Sequence, residues 1–269
     1  LGLRPSRPGL ERPVNAVNLR ARRLRQRRAD AIFRRARSAS TAPAPSDRAP
    51  VPPIASISFS SALLDDYPSC PPHGSTYVGA PLYRHPTGTP TVDRRRDTVL
   101  VTWGSAPEAD LADVMARLAA ALAEAAPGTR LVVQSDDDRV RRAFEEHHPG
   151  VEFLGPTAAP PYAEFERARL VIGHGGYGTI VESVVHRAPV LTIPQLVADR
   201  METGQRILTA GVGATLDRYR FTAGEATAVI TRLLGDPQVA RNLEAVGADL
   251  ADRGPWTDLL ARLEGALTG

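Results

Sequence analysis

The hydrophobic positions after residue 97 alternate between short, continuous apolar runs and longer stretches in which apolar residues recur at helical spacing. Continuous apolar runs of this length are typical of buried strands, and the stretches between them are typical of helices. This alternation predicts an α/β domain with a Rossmann-like parallel sheet covered by helices on both faces. The predicted strands are residues 98–103, 130–134, 151–154, 169–172, 190–193 and 214–216, and the best-defined predicted helices are residues 108–125 and 202–210.

The first third of the chain has a different pattern. Residues 18–37 form a helix-capable run dense in arginine, and residues 38–53 are rich in Ala, Ser and Pro. Two short strands are predicted at residues 54–59 and 77–81, followed by a polar linker. We therefore predict a partial, basic N-terminal unit (residues 1–90) before the α/β domain (residues 91–269).

Charge separates the same two parts. Residues 1–96 carry a net charge of +11, whereas residues 97–269 carry −8. A basic helix at residues 18–37 is compatible with nucleic-acid or anionic-membrane binding. Its larger apolar residues are few, so we interpret it as a solvated helix and expect neither partner. No apolar run reaches transmembrane length, and the single cysteine, Cys70, excludes an internal disulfide. A cytoplasmic protein is therefore expected.

The chemistry is concentrated in residues 169–182, where an apolar strand breaks into glycines and then resumes at helical spacing. The first N–H groups of such a helix have no partner within it, and the helix dipole favours an anion there. Glycines allow a phosphate to approach the backbone. His174 adds an imidazole at the mouth of this site, and Thr179 adds a hydroxyl. The stretch predicts a site for a nucleoside diphosphate.

Two other interpretations of this stretch remain open on the residues alone. Thr179 and Glu182 have the spacing of a capping box, in which both residues merely satisfy helix-end donors. Gly173-x-Gly175-x-x-Gly178 also matches the dinucleotide-binding fingerprint, and Asp199 follows at roughly the expected distance of about 20 residues. That fingerprint normally follows the first strand of its domain, whereas this turn follows the fourth predicted strand.

Residues from about Val99 to the C-terminus resemble the donor-binding domain of GT-B fold, nucleotide-sugar-dependent glycosyltransferases, and most closely the bacterial antibiotic and macrolide group. Three features carry the resemblance: Trp103-Gly104-Ser105 after the first strand, the run from His174 to Thr179 with Glu182, and Pro194 followed by Asp199.

The resemblance implies a role for each matching position. The residues implied to bind the donor diphosphate are Gly104, Ser105, His174, Gly175, Gly176, Gly178 and Thr179. Glu182 is implied to bind the ribose, Pro156 and Thr157 the base, and Gln195, Asp199 and Arg200 the sugar. Two departures leave sugar and base open: Arg200 replaces the glutamine of the family's Asp-Gln pair, and the aromatic residue that often stacks on the base is replaced near Pro156.

The implied function is a hexosyltransferase that moves a sugar from a UDP or TDP sugar to a small-molecule acceptor with inversion, as in natural product biosynthesis. No cofactor and no metal are expected. Residues 1–90 resemble only the tail of the acceptor domain, and the family's usual base histidine has no counterpart, so the catalytic residue is unknown. A second chain supplying the acceptor domain is one implied partner. The alternatives are a non-catalytic nucleotide-sugar-binding partner or remnant and, less favoured, a dinucleotide-dependent oxidoreductase.

Overall fold

The computed structural model describes residues 56–61, 63–64, 75–79, 96–103, 111–155, 162–194, 198–252, 257–261 and 263–264. All of them belong to one compact unit, Ala55–Gly269. The basic segment at residues 18–37 and most of the predicted linker lie outside the described residues. The domain boundary near residue 90 therefore stays a prediction.

Eight strands are present among the described residues, and every pairing between them is parallel. Two form a small sheet and six form a large one in the order β5-β4-β3-β6-β7-β8. The strands are β1 Ser56–Ser58, β2 Ser75–Tyr77, β3 Thr98–Thr102, β4 Arg130–Gln134, β5 Glu152–Leu154, β6 Ala168–Gly173, β7 Val190–Thr192 and β8 Gly213–Thr215. The large sheet has the order of a doubly wound nucleotide-binding fold, because its first strand, β3, lies in the middle with β4 on one side and β6 on the other.

The helices among the described residues include, in chain order, α1 Leu111–Ala125, α2 Asp138–Glu145, α3 Tyr162–Arg167, α4 Tyr177–Val185, α5 Ala198–Thr209, α6 Ala223–Gly235 and α7 Pro237–Ala251, and residues 257–261 are helical as well. Helix α5 begins four residues before its predicted start at residue 202. Helix α3 was not predicted, because its six residues are too few to show a helical period. Within the described part of the chain, no helix combines the length and the apolar character that crossing a membrane requires.

The sheet is covered on both faces, as the continuous apolar runs predicted. Val99 and Val101 of β3 belong to the larger core cluster, which also includes Met115 and Leu118 of α1. Leu100 belongs to a smaller cluster that contains Phe165 of α3. Successive strand residues point to opposite faces. Both faces of β3 are therefore filled with apolar side chains, and the strand carries no polar residue between its end threonines.

The small sheet lies against α7. Gly79 has a φ of +70°, and a Cβ at this position would lie 2.6 Å from the carbonyl oxygen of Leu250. Ser61 donates a hydrogen bond from its hydroxyl to the carboxylate of Asp249. The predicted strand at residues 77–81 is wrong in its bounds, since β2 ends at Tyr77 and the chain then turns through Gly79 to pack against the helix end.

Candidate functional site

The glycine-rich turn lies at the carboxyl ends of the two central strands, where the strand order reverses. Gly173 is the last residue of β6 and pairs with Thr102 of β3. A Cβ on Gly173 would lie 2.7 Å from the carbonyl oxygen of Thr102, so only glycine permits this approach of the two strand ends. Crevices at this point of an open parallel sheet are where such folds bind their ligands.

Gly175 forms the turn itself. Its φ of +91° lies in a region that side chains with a Cβ rarely adopt, and a Cβ there would lie 3.0 Å from the carbonyl oxygen of Arg200. The first turn of α5 therefore packs directly on the glycine turn. This contact brings the backbone of Arg200, an expected sugar-binding residue, beside the expected diphosphate-binding residues.

Several expected site residues lie wholly or partly outside the described residues. Asp199 lies in the first turn of α5, and its side chain is outside the described residues. The other positions outside the described residues are Gly104, Ser105, Pro156, Thr157 and Gln195. Their expected roles stay predictions.

The imidazole of His174 is held between a glycine and a tryptophan. Its Nε2 atom would be 3.0 Å from a Cβ on Gly176, and its ring centroid is 6.3 Å from that of Trp103, with the two planes tilted by 57°. Trp103 directly follows β3 and is only 4% exposed. His174 itself is only partly exposed, so packing against these neighbours positions its ring.

Helix α4 begins after a glycine in the N-cap position. Its N-cap residue is Gly176, which forms no side-chain cap, and its first turn contains no acidic residue. Thr179 is the third helical residue rather than the N-cap, so the capping-box interpretation of Thr179 and Glu182 is wrong. The structure instead has a capping box at the start of α6, between Thr222 and Glu225. Gly176 cannot supply the side-chain acceptor that an N-cap residue usually gives to the first N–H groups of a helix, and a helix start of this kind suits an anion.

Gly178 leaves space above this helix start. It is exposed, and no described atom lies within 4 Å of the position of a Cβ. Packing within the described part of the chain therefore gives no reason for a glycine at this position. An approach of a ligand to the backbone does give one.

Glu182 lies on the same face of α4 as Thr179, farther from the glycine turn. Its Oε2 atom is 3.7 Å from Nε2 of His186, and the two side chains are only 14% and 10% exposed. Burial lowers the pKa of His186, and the nearby guanidinium groups of Arg187 and Arg96 lower it further. The lowered pKa favours the neutral imidazole of His186, and in that form its contact with Glu182 is not an ion pair. The ribose role of Glu182 stays a prediction.

The structure adds one cationic residue that the sequence analysis missed. Arg218 follows β8, is only 2% exposed, and places its guanidinium carbon 5.8 Å from the ring centroid of Trp103. Arg117 of α1 fixes this segment by donating to the carbonyl of Arg218 at 2.9 Å. Arg218 lies in a short polar connection with no periodicity, so no sequence signal distinguishes it from a solvated arginine. The guanidinium of Arg218 thus contacts Trp103, the same ring that lies beside His174.

No three His, Cys, Asp or Glu side chains among the described residues are grouped as metal ligands would be. Asp137 caps α2 by accepting from the N–H of Arg139 at 2.8 Å, which explains the acidic residues at this helix start without a metal. The expectation that the donor binds without a metal stays a prediction.

Comparison with known proteins identifies the domain. Residues 98–246, more than half of the chain, match the glycosyltransferase family 28 C-terminal domain. The chain belongs to this family. The match covers β3 to α7, with the crevice between β3 and β6 and the whole glycine turn inside it.

Two curated relatives are similar in sequence. A UDP-glycosyltransferase of Talaromyces amestolkiae is 30% identical over 112 residues, which cover 40% of this chain and 21% of the relative. A zeaxanthin glucosyltransferase of Pseudescherichia vulneris is 26% identical over 219 residues, covering 81% of this chain and 51% of the relative. This chain thus spans about half the length of the zeaxanthin glucosyltransferase and about a fifth of the length of the UDP-glycosyltransferase.

The fold also matches solved glycosyltransferases. The glycotransferase of kitacinnamycin superposes with a TM-score of 0.60 at 23% identity, over 78% of this chain and 55% of that chain. The spinosyn forosaminyltransferase gives 0.59 at 20% identity, over 80% and 55%. At these identities the likeness shows the fold. The GT-B resemblance and the Rossmann-like fold expected from the sequence are both confirmed.

Proposed function

We propose that the crevice between β3 and β6 binds the nucleoside-diphosphate sugar donor of a glycosyl transfer. The observation that carries this proposal is the start of α4: its N-cap is a glycine, no described atom lies within 4 Å of the position of a Cβ on Gly178, and the imidazole of His174 lies beside Gly176. Three features that each favour an anion therefore meet at one point of a family 28 domain.

In this proposal the diphosphate lies over the first turn of α4. The N–H groups of Gly178 and Thr179 and the imidazole of His174 donate hydrogen bonds to its oxygens. During transfer the bond from the anomeric carbon to the diphosphate breaks, and its electron pair remains on the departing diphosphate. The same donors and the helix dipole stabilise that charge as it develops, because they are already oriented towards it.

The remaining parts of the donor are assigned by the expected roles of neighbouring residues. Glu182 binds the ribose, and Pro156 and Thr157 border the base. Gln195, Asp199 and Arg200 contact the sugar. We propose a UDP or TDP hexose as donor and a small molecule of natural product type as acceptor. One of the relatives supports this choice, since its name describes glucose transfer to zeaxanthin.

The acceptor hydroxyl would attack the anomeric carbon from the face opposite the diphosphate, which inverts its configuration. A base must take the hydroxyl proton. We assign no residue to this task, and a second chain that supplies an acceptor domain is a further part of the proposal. It is tested by assaying transfer with and without a separately produced acceptor domain from a relative.

Calorimetric titration with UDP, TDP and NAD tests the donor site. We expect UDP or TDP to bind at one site per chain and NAD to give no heat. Binding of NAD in place of both nucleoside diphosphates would instead favour the dinucleotide hypothesis and would refute the donor assignment.

A further inference from the structure

A pocket lined by arginines lies at the opposite edge of the large sheet. Arg96 lies two residues before β3, Arg169 is the second residue of β6, and Arg187 lies between α4 and β7. Because all six strands are parallel, their amino ends share one edge, and these three side chains line one pocket there, with Arg169 also donating to the hydroxyl of Thr129 at 3.4 Å. The pocket encloses about 540 Å³. Along β6 it is separated from the glycine turn by roughly 16 Å, at about 3.3 Å per residue.

The pocket combines this cationic rim with an apolar wall. The wall is formed by Pro189 before β7, by Leu233 at the end of α6, and by Val239 and Leu243 of α7. Pockets of roughly 300–1,000 Å³ with an apolar lining and a few polar groups are typical of small-molecule sites.

The backbone of Arg187 has a conformation that non-glycine residues rarely adopt. Its φ of +59° is in the left-handed region, and among the described residues it is the one non-glycine with a positive φ. It follows the C-cap residue His186, a position where helices usually place glycine. Its guanidinium donates to the carbonyl of Val185 and to Glu244 at 3.2 Å. Backbone strain of this kind is concentrated at functional positions.

The missing side chain of Gly247 in α7 makes room for the guanidinium of Arg187. A Cβ on Gly247 would lie 2.5 Å from an Nη atom of Arg187 and 2.5 Å from the carbonyl oxygen of Val184. The close packing of α4 on α7 therefore creates a slot for the guanidinium. This positions the charge at the pocket rather than leaving it in solvent.

Positive charge exceeds negative charge around the pocket. Three arginines face two carboxylates: Glu244 pairs with Arg187, and Asp236 accepts the N–H of Gln238 at the start of α7. Arg96 donates to the carbonyl of Arg187, and its pKa is lowered by burial and then by the charge of Arg187. These groups repel one another, and an anion among them would offset that repulsion.

We propose that this pocket binds a small organic anion that has one phosphate or carboxylate head group and an apolar body. The head group contacts Arg96, Arg169 and Arg187, and the body lies against Leu233, Val239 and Leu243. The site is separate from the donor crevice and does not depend on its assignment.

Phenyl phosphate is a suitable probe, because it joins one phosphate to one apolar ring. Calorimetry on the full chain should show binding at one site, with inorganic phosphate several-fold weaker since it cannot use the apolar wall. In Arg187→Gly the backbone strain is relieved while the charge is lost. Affinity for phenyl phosphate should fall about 10-fold to 100-fold, as expected for one charge-assisted hydrogen bond.

Two control variants locate the probe. Arg139→Gln removes an exposed arginine on α2 and should leave the affinity for phenyl phosphate unchanged. Gly178→Ala alters the donor crevice and should also leave it unchanged. A loss of phenyl phosphate binding in Gly178→Ala would place the anion in the donor crevice and overturn the proposal. If Arg187→Gly lowers the melting temperature strongly, Arg169→Gln provides the same test at a residue without backbone strain.

The remaining outcomes also decide. Equal affinity of the wild-type chain and both arginine variants, or no binding of phenyl phosphate at about 10 mM, overturns the proposal. Sedimentation with phosphatidic acid vesicles separates a free ligand from a lipid head group. Arg187-dependent binding to vesicles without binding of phenyl phosphate would assign the pocket to a membrane surface and refute the small-molecule site.

Discussion

Gly178 and Gly224 occupy the same place in two different helices. Each is the second helical residue, in α4 and α6 respectively, each is exposed, and neither has a described atom within 4 Å of the position of a Cβ. The two helices differ at the N-cap. The N-cap of α4 is Gly176, which has no side chain to cap the first turn, whereas Thr222 and Glu225 form a capping box at the start of α6. Comparing alanine variants at these two positions therefore separates the effect of a methyl group on helix stability from its effect on ligand binding.

Both Gly178→Ala and Gly224→Ala should stabilise the protein by about 0.5–1 kcal/mol, because alanine loses less entropy in a helix than glycine does. Only Gly178→Ala should weaken binding of a nucleoside diphosphate, by about tenfold or more, since its methyl group would stand between the phosphate and the backbone. Thermal melts and calorimetric titration of both variants measure the two effects. Equal nucleotide affinity in the two variants would contradict the proposed position of the diphosphate.

His174→Ala should weaken binding of UDP or TDP by roughly 1.5–3 kcal/mol, the contribution of one charge-assisted hydrogen bond. The melting temperature should change little, because the ring is partly exposed and lies at the mouth of the crevice. His147→Ala, at an exposed histidine of the α2–β5 connection, is the control and should bind the nucleotide normally. An unchanged affinity in His174→Ala would remove this residue from the site.

Glu182→Gln tests the ribose role against a purely structural one. If the carboxylate holds ribose hydroxyls, nucleotide affinity should fall and the free energy of unfolding should barely change. Thr222→Ala gives the opposite pattern as a control, because loss of the N-cap hydroxyl weakens the cap of α6 by about 0.5–2 kcal/mol without touching the crevice. A Glu182→Gln variant that loses stability but binds nucleotide normally would show that Glu182 only supports the helix.

The buried His186 should make stability depend on pH. Burial and the charges of Arg187 and Arg96 lower its pKa in the folded state, whereas in the unfolded chain it titrates near 6.5. Below about pH 6.5 the unfolded chain therefore binds more protons than the folded one, and the free energy of unfolding falls as the pH decreases towards the folded-state pKa. Above about pH 6.5 both states carry a neutral His186, and its full contribution to the free energy of unfolding is present.

Urea unfolding at about pH 7.5 and about pH 5.5 measures this effect. His186→Gln should reduce the difference between the two conditions, while His147→Gln should leave it as in the wild-type chain. The same difference in all three proteins would mean that other groups cause the pH dependence.

Binding of a nucleoside diphosphate should not require a divalent cation. The proposed contacts to the diphosphate are N–H groups of α4 and the imidazole of His174, which neutralise its charge without a metal. Titration with UDP or TDP in EDTA should give the same affinity as titration in magnesium. A strong loss of affinity in EDTA would require carboxylate ligands that the proposal does not contain.

Strands were the most predictable part of this fold. β3, β4 and β6 are buried on both faces, so each appears in the sequence as a continuous run of branched apolar residues. Helix α3 was missed because it is a single short segment held by Phe165 against the sheet. The early start of α5 has no cap signal in the sequence, and its place is set by packing of Arg200 on Gly175.

Individual residues at the sites were harder to interpret. The spacing of Thr179 and Glu182 suggested a cap, and only the observed start of α4 shows that Thr179 lies inside the helix. Arg96 and Arg187 are 91 positions apart and meet because β3 and β7 flank β6, and all three parallel strands begin at the same edge of the sheet. Such a cluster depends on the strand order, which local patterns do not specify.

The central place of β3 has a consequence for how the protein is made. Leu100 is paired on one side with Val132 and on the other with Val171, so the second partner of β3 is synthesised about 70 residues after the strand itself. Until β6 leaves the ribosome, one hydrogen-bonding edge of β3 has no partner strand and is available for pairing with other chains. The residues of β3 between its end threonines are all apolar. Truncated products that end before residue 168 should therefore aggregate rather than persist as a soluble half-domain. The two halves of the sheet depend on each other for solubility as well as for the crevice between them.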